Sequence, residues 1–374
     1  LIAVPKTQKG PRLIAAEPVA HQWIQQLVKN QLEARLADTP LKNCISFRDQ
    51  SPNGKLAMQG SKDGSFATID LSSASDRLSL RTVERAFRSN LTILTALHAC
   101  RTRWLSYRSE DEEFFLKLNK FAPMGSAVTF PVQSIIYAMI AITAIILDSG
   151  KTVTSSSIEW ASHQVRVFGD DIIVPTHACK LTIKLLQEQG LVVNTDKTFY
   201  TGRFRESCGV DAFMGHDVTP PYILEYDGLD QPGKIASLVK TRNNFYLKGY
   251  WHTAYWLQSL VPSVARLLPD IPACRDAFGI SSCLGEDTHH LRRRYNEALH
   301  RYEVKTFILV AKKKTVAPEG YSRLLQWFIE KPRADILWDG GQVVKSDVYS
   351  RLGWKYEGSI SETPSHWSPA TSTS

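Results

Sequence analysis

The sequence predicts an α+β fold, with helices packed on a small antiparallel sheet, and three observations carry that reading. Residues 165–175, V-R-V-F-G-D-D-I-I-V-P, set two apolar β-prone runs on either side of Gly169, Asp170 and Asp171, the pattern of a β-hairpin with two carboxylates at its turn. Residues 66–71 form a second β-prone run, which contains Asp70 near its end. Between them lies the longest apolar run, residues 135–147. It is shorter than the roughly 20 residues a membrane-spanning helix needs and reads as a buried core helix.

With 374 residues, 43% of them hydrophobic, the chain can bury the core of one large domain or of two to three lobes, which excludes a disordered chain. The formal net charge of +8 favours a polyanionic partner without singling one out. Six scattered cysteines with no Cys-x-x-Cys pair give neither a zinc site nor a disulfide framework and fit a reducing cytosol. His289 and His290 lack further ligands at metal spacing and read as a surface pair. No signal peptide is visible and no membrane association is expected. The chain opens at Leu1, directly into a functional-looking segment, so an upstream part is expected.

In chain order, the opening segment places Lys6, Lys9 and Arg12 three residues apart in a Pro- and Gly-rich extended loop. Such a loop can lay cations along a triphosphate or a nucleic-acid backbone, and a solvated loop explains the same spacing equally well. Residues 19–36 repeat apolar side chains at Trp23, Leu27, Leu32 and Leu36, an amphipathic helix. Residues 38–65, with Pro40, Pro52, Gly54, Gly60 and Gly64, read as a loop-rich connection. After the Asp70 strand, Ser75 or Asp76 is placed to open a helix over 78–100. Residues 122–134, A-P-M-G-S-A-V-T-F-P-V-Q-S, read as a loop through Gly125 into the apolar helix. Main-chain groups there, with Ser126 and Thr129, can hold a nucleotide sugar or template backbone, and a plain helix-opening loop is the rival reading.

Past the hairpin, residues 178–189 read as an amphipathic helix stopped by Gly190. A strand-like return at 191–193 leads into N-T-D-K-T-F, whose Lys197 can reach back towards the carboxylates as a cation or proton donor. Residues 204–209 and 218–223 read as short strands and a tight turn. Beyond residue 230 the chain reads as helical, with aromatic clusters over 245–256 and basic runs at 292–294 and 312–314 on solvated helix faces. Residues 359–374, rich in Ser, Thr and Pro, read as a flexible tail.

The acids bring the chemistry. Adjacent carboxylates on a rigid turn repel each other and raise their own proton affinity unless a cation neutralises them, and a hard divalent ion with oxygen ligands is the simplest resolution. Asp70, on a strand set beside the hairpin, supplies the third carboxylate that a two-cation phosphoryl-transfer site requires. A Gly-Asp turn adopted for local reasons is the bland account of the triplet alone, as a helix N-cap is of Asp76.

The ordered set is more specific than its members. V-P-K-x-x-K-x-x-R, D-L-S-S-A-S-D, P-M-G-x-x-x-T-F, F-G-D-D, N-T-D-K-T-F and F-R-E-S-C-G-x-D occur in the order used by viral RNA-dependent RNA polymerases. Over residues 1–223 the wording closely resembles the replicases of single-stranded RNA bacteriophages, the levivirus group. The resemblance implies a right-hand polymerase with an antiparallel palm sheet, fingers and a helical thumb. Residues 1–65 then form an incomplete fingers segment, 66–230 the palm with an interleaved fingers segment, and 231–358 the thumb-like region.

The resemblance also implies roles. Asp70, Asp170 and Asp171 hold two Mg2+ ions, replaceable by Mn2+, with Asp171 the weaker ligand. Lys6, Lys9 and Arg12 grip incoming triphosphate and template, and Glu17 is an acidic position in the same motif. Asp76, Ser126 and Thr129 sense the ribose 2′-hydroxyl, with Gln133 standing where many viral polymerases carry Asn. Lys197 protonates pyrophosphate, and Gly125, Arg205, Glu206 and Ser207 contact RNA. The implied partners are a single-stranded RNA template, ribonucleoside triphosphates, host elongation factors Tu and Ts and a ribosomal protein, in the cytoplasm of an infected bacterium. A reverse transcriptase and a non-catalytic RNA-binding derivative of a polymerase stay open as alternatives. Against the first stand Phe168-Gly169 before Asp170 and Asp76 where a bulky aromatic would exclude the 2′-hydroxyl; against the second stands the complete set of acids.

Overall fold

The computed structural model describes residues 1–7, 10–108, 113–223, 232–261, 268–271, 278–282, 290–311 and 348–357. The chain forms two compact units, one built on Leu1–Thr219 and a second whose described residues all follow Thr219. The boundary expected at residue 230 lies outside the described residues.

At the centre of the first unit is a three-stranded antiparallel sheet in which Asp171–Pro175 runs between Phe66–Ile69 and Arg166–Phe168. Consecutive residues of the middle strand, Ile172 to Val174, are all buried, so both faces of the strand are covered. The helices Thr129–Asp148 and Ser51–Asp63 both pack on this sheet. Thr129–Asp148 is the expected core helix. Among the described residues it alone is long and apolar enough to cross a membrane, yet Ile135, Ile136, Tyr137, Ala138, Ala141, Ile142, Ile145 and Ile146 are buried in the unit's own core. Helices Ser155–Ser162 and Cys179–Glu188 pack against it.

Four local expectations change. Residues 38–65 are not a loop: they hold a short 3-10 turn, Pro40–Asn43, and the helix Ser51–Asp63. Its glycines are points of close approach and not breaks, because a Cβ on Gly54 would lie 2.9 Å from Val210 Cγ2 and one on Gly60 2.7 Å from the Phe66 carbonyl oxygen. The single helix expected over 78–100 is two, Leu80–Phe87 and Leu91–Cys100, capped by Ser79 accepting from the Thr82 N–H at 3.0 Å and by Asn90 accepting from the Ile93 N–H at 3.1 Å. Neither Ser75 nor Asp76 opens them; both sit in the separate turn Ala74–Arg77. The opening loop is a ribbon, Ile2–Thr7 paired with Gly10–Ile14, in which Val4 faces Arg12. The helix Val19–Leu36 forms as expected, but its predicted apolar stripe is not a core face: Leu32 is buried, whereas Trp23 is 69% exposed and Leu27 is also exposed.

The second unit opens with helices Pro232–Leu247 and Trp251–Ser259, as the helical reading beyond residue 230 requires, and then departs from it. Arg293–Asn296, Arg301–Ala311 and Val348–Tyr356 form an antiparallel sheet. The β-prone run V-K-T-F-I-L-V at 304–310 decides this. The basic run at 292–294 therefore runs into a strand, where Arg294 and Arg301 both donate to the buried Glu303. The run at 312–314 and the tail at 359–374 lie outside the described residues.

Gly60→Ala tests the close approach of helix to strand. Pushing a methyl group into backbone should lower stability by about 1–3 kcal/mol in urea denaturation. An unchanged midpoint would remove the packing account of that glycine.

Candidate active site

Strand register builds the site. Ile69 faces Ile172 and Phe168 faces Asp171, so Asp70 follows directly from a residue paired one place beyond Asp171, and Asp170 sits in the two-residue turn. Gly169, with φ 67°, is the first central residue of that turn, the position where a tight hairpin favours glycine. Its N–H donates to Ser134 Oγ at 3.1 Å, and a Cβ there would lie 2.8 Å from the Phe130 ring. The acid-bearing turn is thus seated on the core helix.

Asp70 and Asp171 each have partners. Leu71–Ser72 pairs with Val192–Val193, which brings the N-T-D-K segment alongside, and Asn194 Nδ2 donates to Asp70 Oδ2 at 2.9 Å. Asp171 receives weaker contacts from the turn after Phe204–Ser207: Ser207 Oγ lies 3.4 Å from Oδ1 and Cys208 Sγ 3.5 Å from Oδ2. Asp170 is exposed. Burial pushes the Asp70 carboxyl above its ordinary range, and Asp170 adds to that while the Asn194 amide opposes it. Burial, with Asp170 next, pushes Asp171 up to about 6. Lys197 Nζ donates to Glu206 Oε1 at 2.9 Å, a bond that raises the lysine's proton affinity, with Asp70 and Asp171 contributing through space.

The aspartates, Lys197, Glu206 and Ser207 therefore share one end of the sheet. The other expected residues are placed differently. Asp76 forms an ion pair with Lys120 Nζ at 2.5 Å. Thr129 is buried and its hydroxyl donates to the Pro123 carbonyl at 3.0 Å, so it holds the helix opening; Ser126 is buried with its Oγ unpartnered. Gly125, at φ 109°, lies against Ala15, where a Cβ would fall 2.2 Å from the carbonyl oxygen. Arg205 is 1% exposed, and its guanidinium donates to the carbonyls of Phe66, Thr201, Gly202 and Phe204, which ties its hairpin to the central sheet. Ser207 is buried beside Asp171. Glu17 is engaged by Gln25 and lies 3.3 Å from His21. Arg12 is exposed; the Lys6 side chain and Lys9 lie outside the described residues.

Sequence reading missed Asn194, although it stands in the quoted N-T-D-K motif, and Cys208, next to Ser207. Lys120 has no sequence pattern that would single it out. Among the described residues no group of three or more His, Cys, Asp and Glu side chains is gathered closely enough to hold a metal ion. The donor chemistry still fits a hard divalent cation: oxygen ligands from Asp70, Asp170 and Asp171, with the neighbouring ammonium engaged by Glu206.

The raised Asp171 has a thermodynamic consequence. A carboxyl whose folded pKa lies above its unfolded value favours the native state below about pH 4 and loses that contribution as pH rises through about 6. Without added divalent cation, Asp171→Asn should therefore be more stable than the parent at pH 7.5 by about 1–3 kcal/mol, with the gap closing towards pH 4. Urea denaturation across that range checks it, and a gap that does not vary with pH would contradict the electrostatic account.

Comparison with known proteins follows the same residues. The family described as RNA replicase, beta-chain, matches residues 1–243. The RNA-directed RNA polymerase subunit beta of Qbeta virus (strain MX1) is 34% identical over 295 residues, 76% of this chain and 45% of that protein. The RNA-directed RNA polymerase beta chain of Escherichia phage MS2 is 35% identical over 224 residues, 60% of this chain and 37% of that one. The chain thus spans less than half the length of these relatives. A solved chain described as an RdRp complex shares the fold with a TM-score of 0.52 over 69% of this chain and 25% of that one, at 10% identity. Since the family match takes in the ribbon, the three aspartates, Lys197 and the Ser207 turn, the chain belongs to the RNA replicase beta-chain family.

Proposed function

We propose that this chain carries the catalytic centre for RNA-templated RNA synthesis, a nucleotidyl transfer that copies a positive-strand RNA phage genome. The observation that carries the reading is the register pairing Ile69 with Ile172, which brings Asp70 beside Asp171 and Asp170 at one sheet end with Lys197 close by. Family membership and the names of the relatives favour this over a reverse transcriptase or a binding-only derivative.

Asp70, Asp170 and Asp171 are the residues that would hold Mg2+ or Mn2+. Two such ions, when bound, lower the pKa of an attacking 3′-hydroxyl and balance charge on the triphosphate. The chain's own groups do the rest. Asn194 fixes the Asp70 carboxylate, and Ser207 and Cys208 fix Asp171. Lys197, protonated at neutral pH, is read as the group that gives a proton at Nζ to departing pyrophosphate once it leaves Glu206. Arg12, with Lys6 and Lys9, is read as the grip on incoming triphosphate and template. Asp76, Ser126 and Thr129 are read as the ribose-sensing region, with Asp76 available to ribose only when Lys120 yields.

In this reading residues 66–230 form the palm with an interleaved fingers segment, 1–65 part of the fingers and 231–358 the thumb-like region. The substrates are ribonucleoside triphosphates and a single-stranded RNA template in the cytoplasm of an infected bacterium. Elongation factors Tu and Ts and a ribosomal protein are the host partners the reading adds.

Labelled ribonucleotide incorporation on a C-ended single-stranded RNA template, with added Mg2+, tests the proposal. Asp170→Asn should reduce incorporation by about 100-fold or more while leaving template binding intact. Unchanged incorporation would sink the assignment of the aspartates, and incorporation of deoxyribonucleotides in place of ribonucleotides would favour the reverse transcriptase.

A further inference from the structure

The second unit contains a face that the proposed chemistry does not use. Helix Trp251–Ser259 turns Ala254 and Leu257 inward, where Leu257 and Val261 pack with Ala236, Leu238 and Val239 of helix Pro232–Leu247. Its opposite side exposes Trp251, His252, Tyr255 and Trp256, spaced i, i+1, i+4 and i+5 and therefore on one face. Trp251 is 67% exposed and Tyr255 78%. The preceding helix adds Lys240, Asn244 and Leu247, and Lys248 follows it, an exposed stripe at i, i+4, i+7 and i+8 that runs into the turn at Gly249 and Tyr250.

This face is rigidly backed. Arg242 is buried, donates to Gln258 Oε1 at 3.1 Å and to the Ser281 carbonyl, and stacks 4.7 Å from the Tyr246 ring, so it pins the two helices together from within. Tyr250 meets Phe245 edge-on at 5.9 Å, and its N–H donates to the Phe245 carbonyl at 2.9 Å.

Charge identifies what they fit. From residue 232 to residue 261 there is no Asp or Glu, while Lys234, Lys240, Arg242 and Lys248 supply positive charge. An acid-free stretch of cations interleaved with exposed aromatic rings matches a polyanion that also presents flat rings, which is a single-stranded polynucleotide. Duplex RNA keeps its base faces stacked inside and offers them to no side chain.

We propose that the exposed face of helix Trp251–Ser259, with Tyr250 and the lysines Lys240 and Lys248, is a binding site for single-stranded RNA in which bases stack on Trp251, Tyr255 and Trp256. It serves as a stacking platform without sequence preference and is built from residues of the second unit, whereas the aspartates belong to the first. The choice of RNA over DNA rests on the polymerase reading; the site itself stands on geometry and charge.

The test is photo-crosslinking of the full chain to a short single-stranded oligoribonucleotide carrying 5-iodouridine, without nucleotides, followed by peptide mapping and a binding titration. Crosslinks should fall on Trp251, Tyr255 or Trp256. Trp251→Ala combined with Tyr255→Ala should weaken binding by about 10–100-fold, and the corresponding Phe substitutions should restore most of it. Lys240→Gln with Lys248→Gln should flatten the salt dependence by about one to two in log–log slope. Both aromatic positions are exposed, so near-ultraviolet circular dichroism should show folding preserved. Crosslinks confined to other segments, or affinity unchanged in the double Ala variant, would overturn the proposal. It is equally overturned if that variant binds RNA normally but sediments as a smaller assembly, since the face is then a protein contact. Asp170→Asn separates the two readings: loss of synthesis with crosslinks retained leaves this site standing, and a parent chain that synthesises RNA but gives no crosslink on this face removes this site alone.

Discussion

The pairing of Phe66–Ile69 with Asp171–Pro175 is the constraint on which the first unit depends. Side chains alternate along a strand, so slipping this register by one residue would turn every side chain of one strand to the opposite face and carry Asp70 away from the acidic turn. What prevents the slip is burial on both faces. Ala67, Thr68 and Ile69 on one strand and Ile172, Ile173 and Val174 on the other have no solvent-facing alternative, and the helices packed on the sheet meet those particular side chains. The core thereby fixes the spacing of charges it would otherwise reject.

The same arrangement makes the acidic end electrostatically uncomfortable when no cation is near. Asp70 and Asp171 are half-buried, each raises the proton affinity of its neighbourhood, and the nearby ammonium of Lys197 is directed to Glu206. Stability has been given up locally for a concentration of carboxylates, the pattern expected where folding and function pull in different directions. Asn194 on Asp70 and the Ser207–Cys208 turn on Asp171 limit the loss without neutralising either group.

Much of this was legible in the sequence because it rests on short-range pattern. The hairpin, the Asp70 strand, the apolar core helix and the helix ending at Gly190 all follow from two- or 3.6-residue periodicity and turn chemistry. The failures have a common cause, since each depends on what lies across the fold. Gly54 and Gly60 read as breakers because local pattern does not show the Val210 side chain and the Phe66 carbonyl that occupy their missing side-chain volume. Trp23 and Leu27 read as part of an apolar stripe, and periodicity shows that a face is apolar and not that anything covers it. The motif around Arg205 gave no sign of the four carbonyls that its guanidinium meets. The strands after Arg293 were missed where basic residues masked a β-prone run.

The close contact of Gly125 with Ala15 gives the first unit a mechanical property. The ribbon's base is bonded to the loop through the Ala15 N–H on the Met124 carbonyl at 2.8 Å, and the loop runs directly into helix Thr129–Asp148, whose Ser134 receives the Gly169 N–H. From Thr129 to Ser134 is about 7–8 Å of continuous helix, less than a turn and a half. Ribbon and acidic turn are therefore opposite ends of one short, stiff strut. Only the loop residues 125–128 and this piece of helix separate the ribbon's anchor from the support of the acidic turn, so the path between them holds little slack backbone.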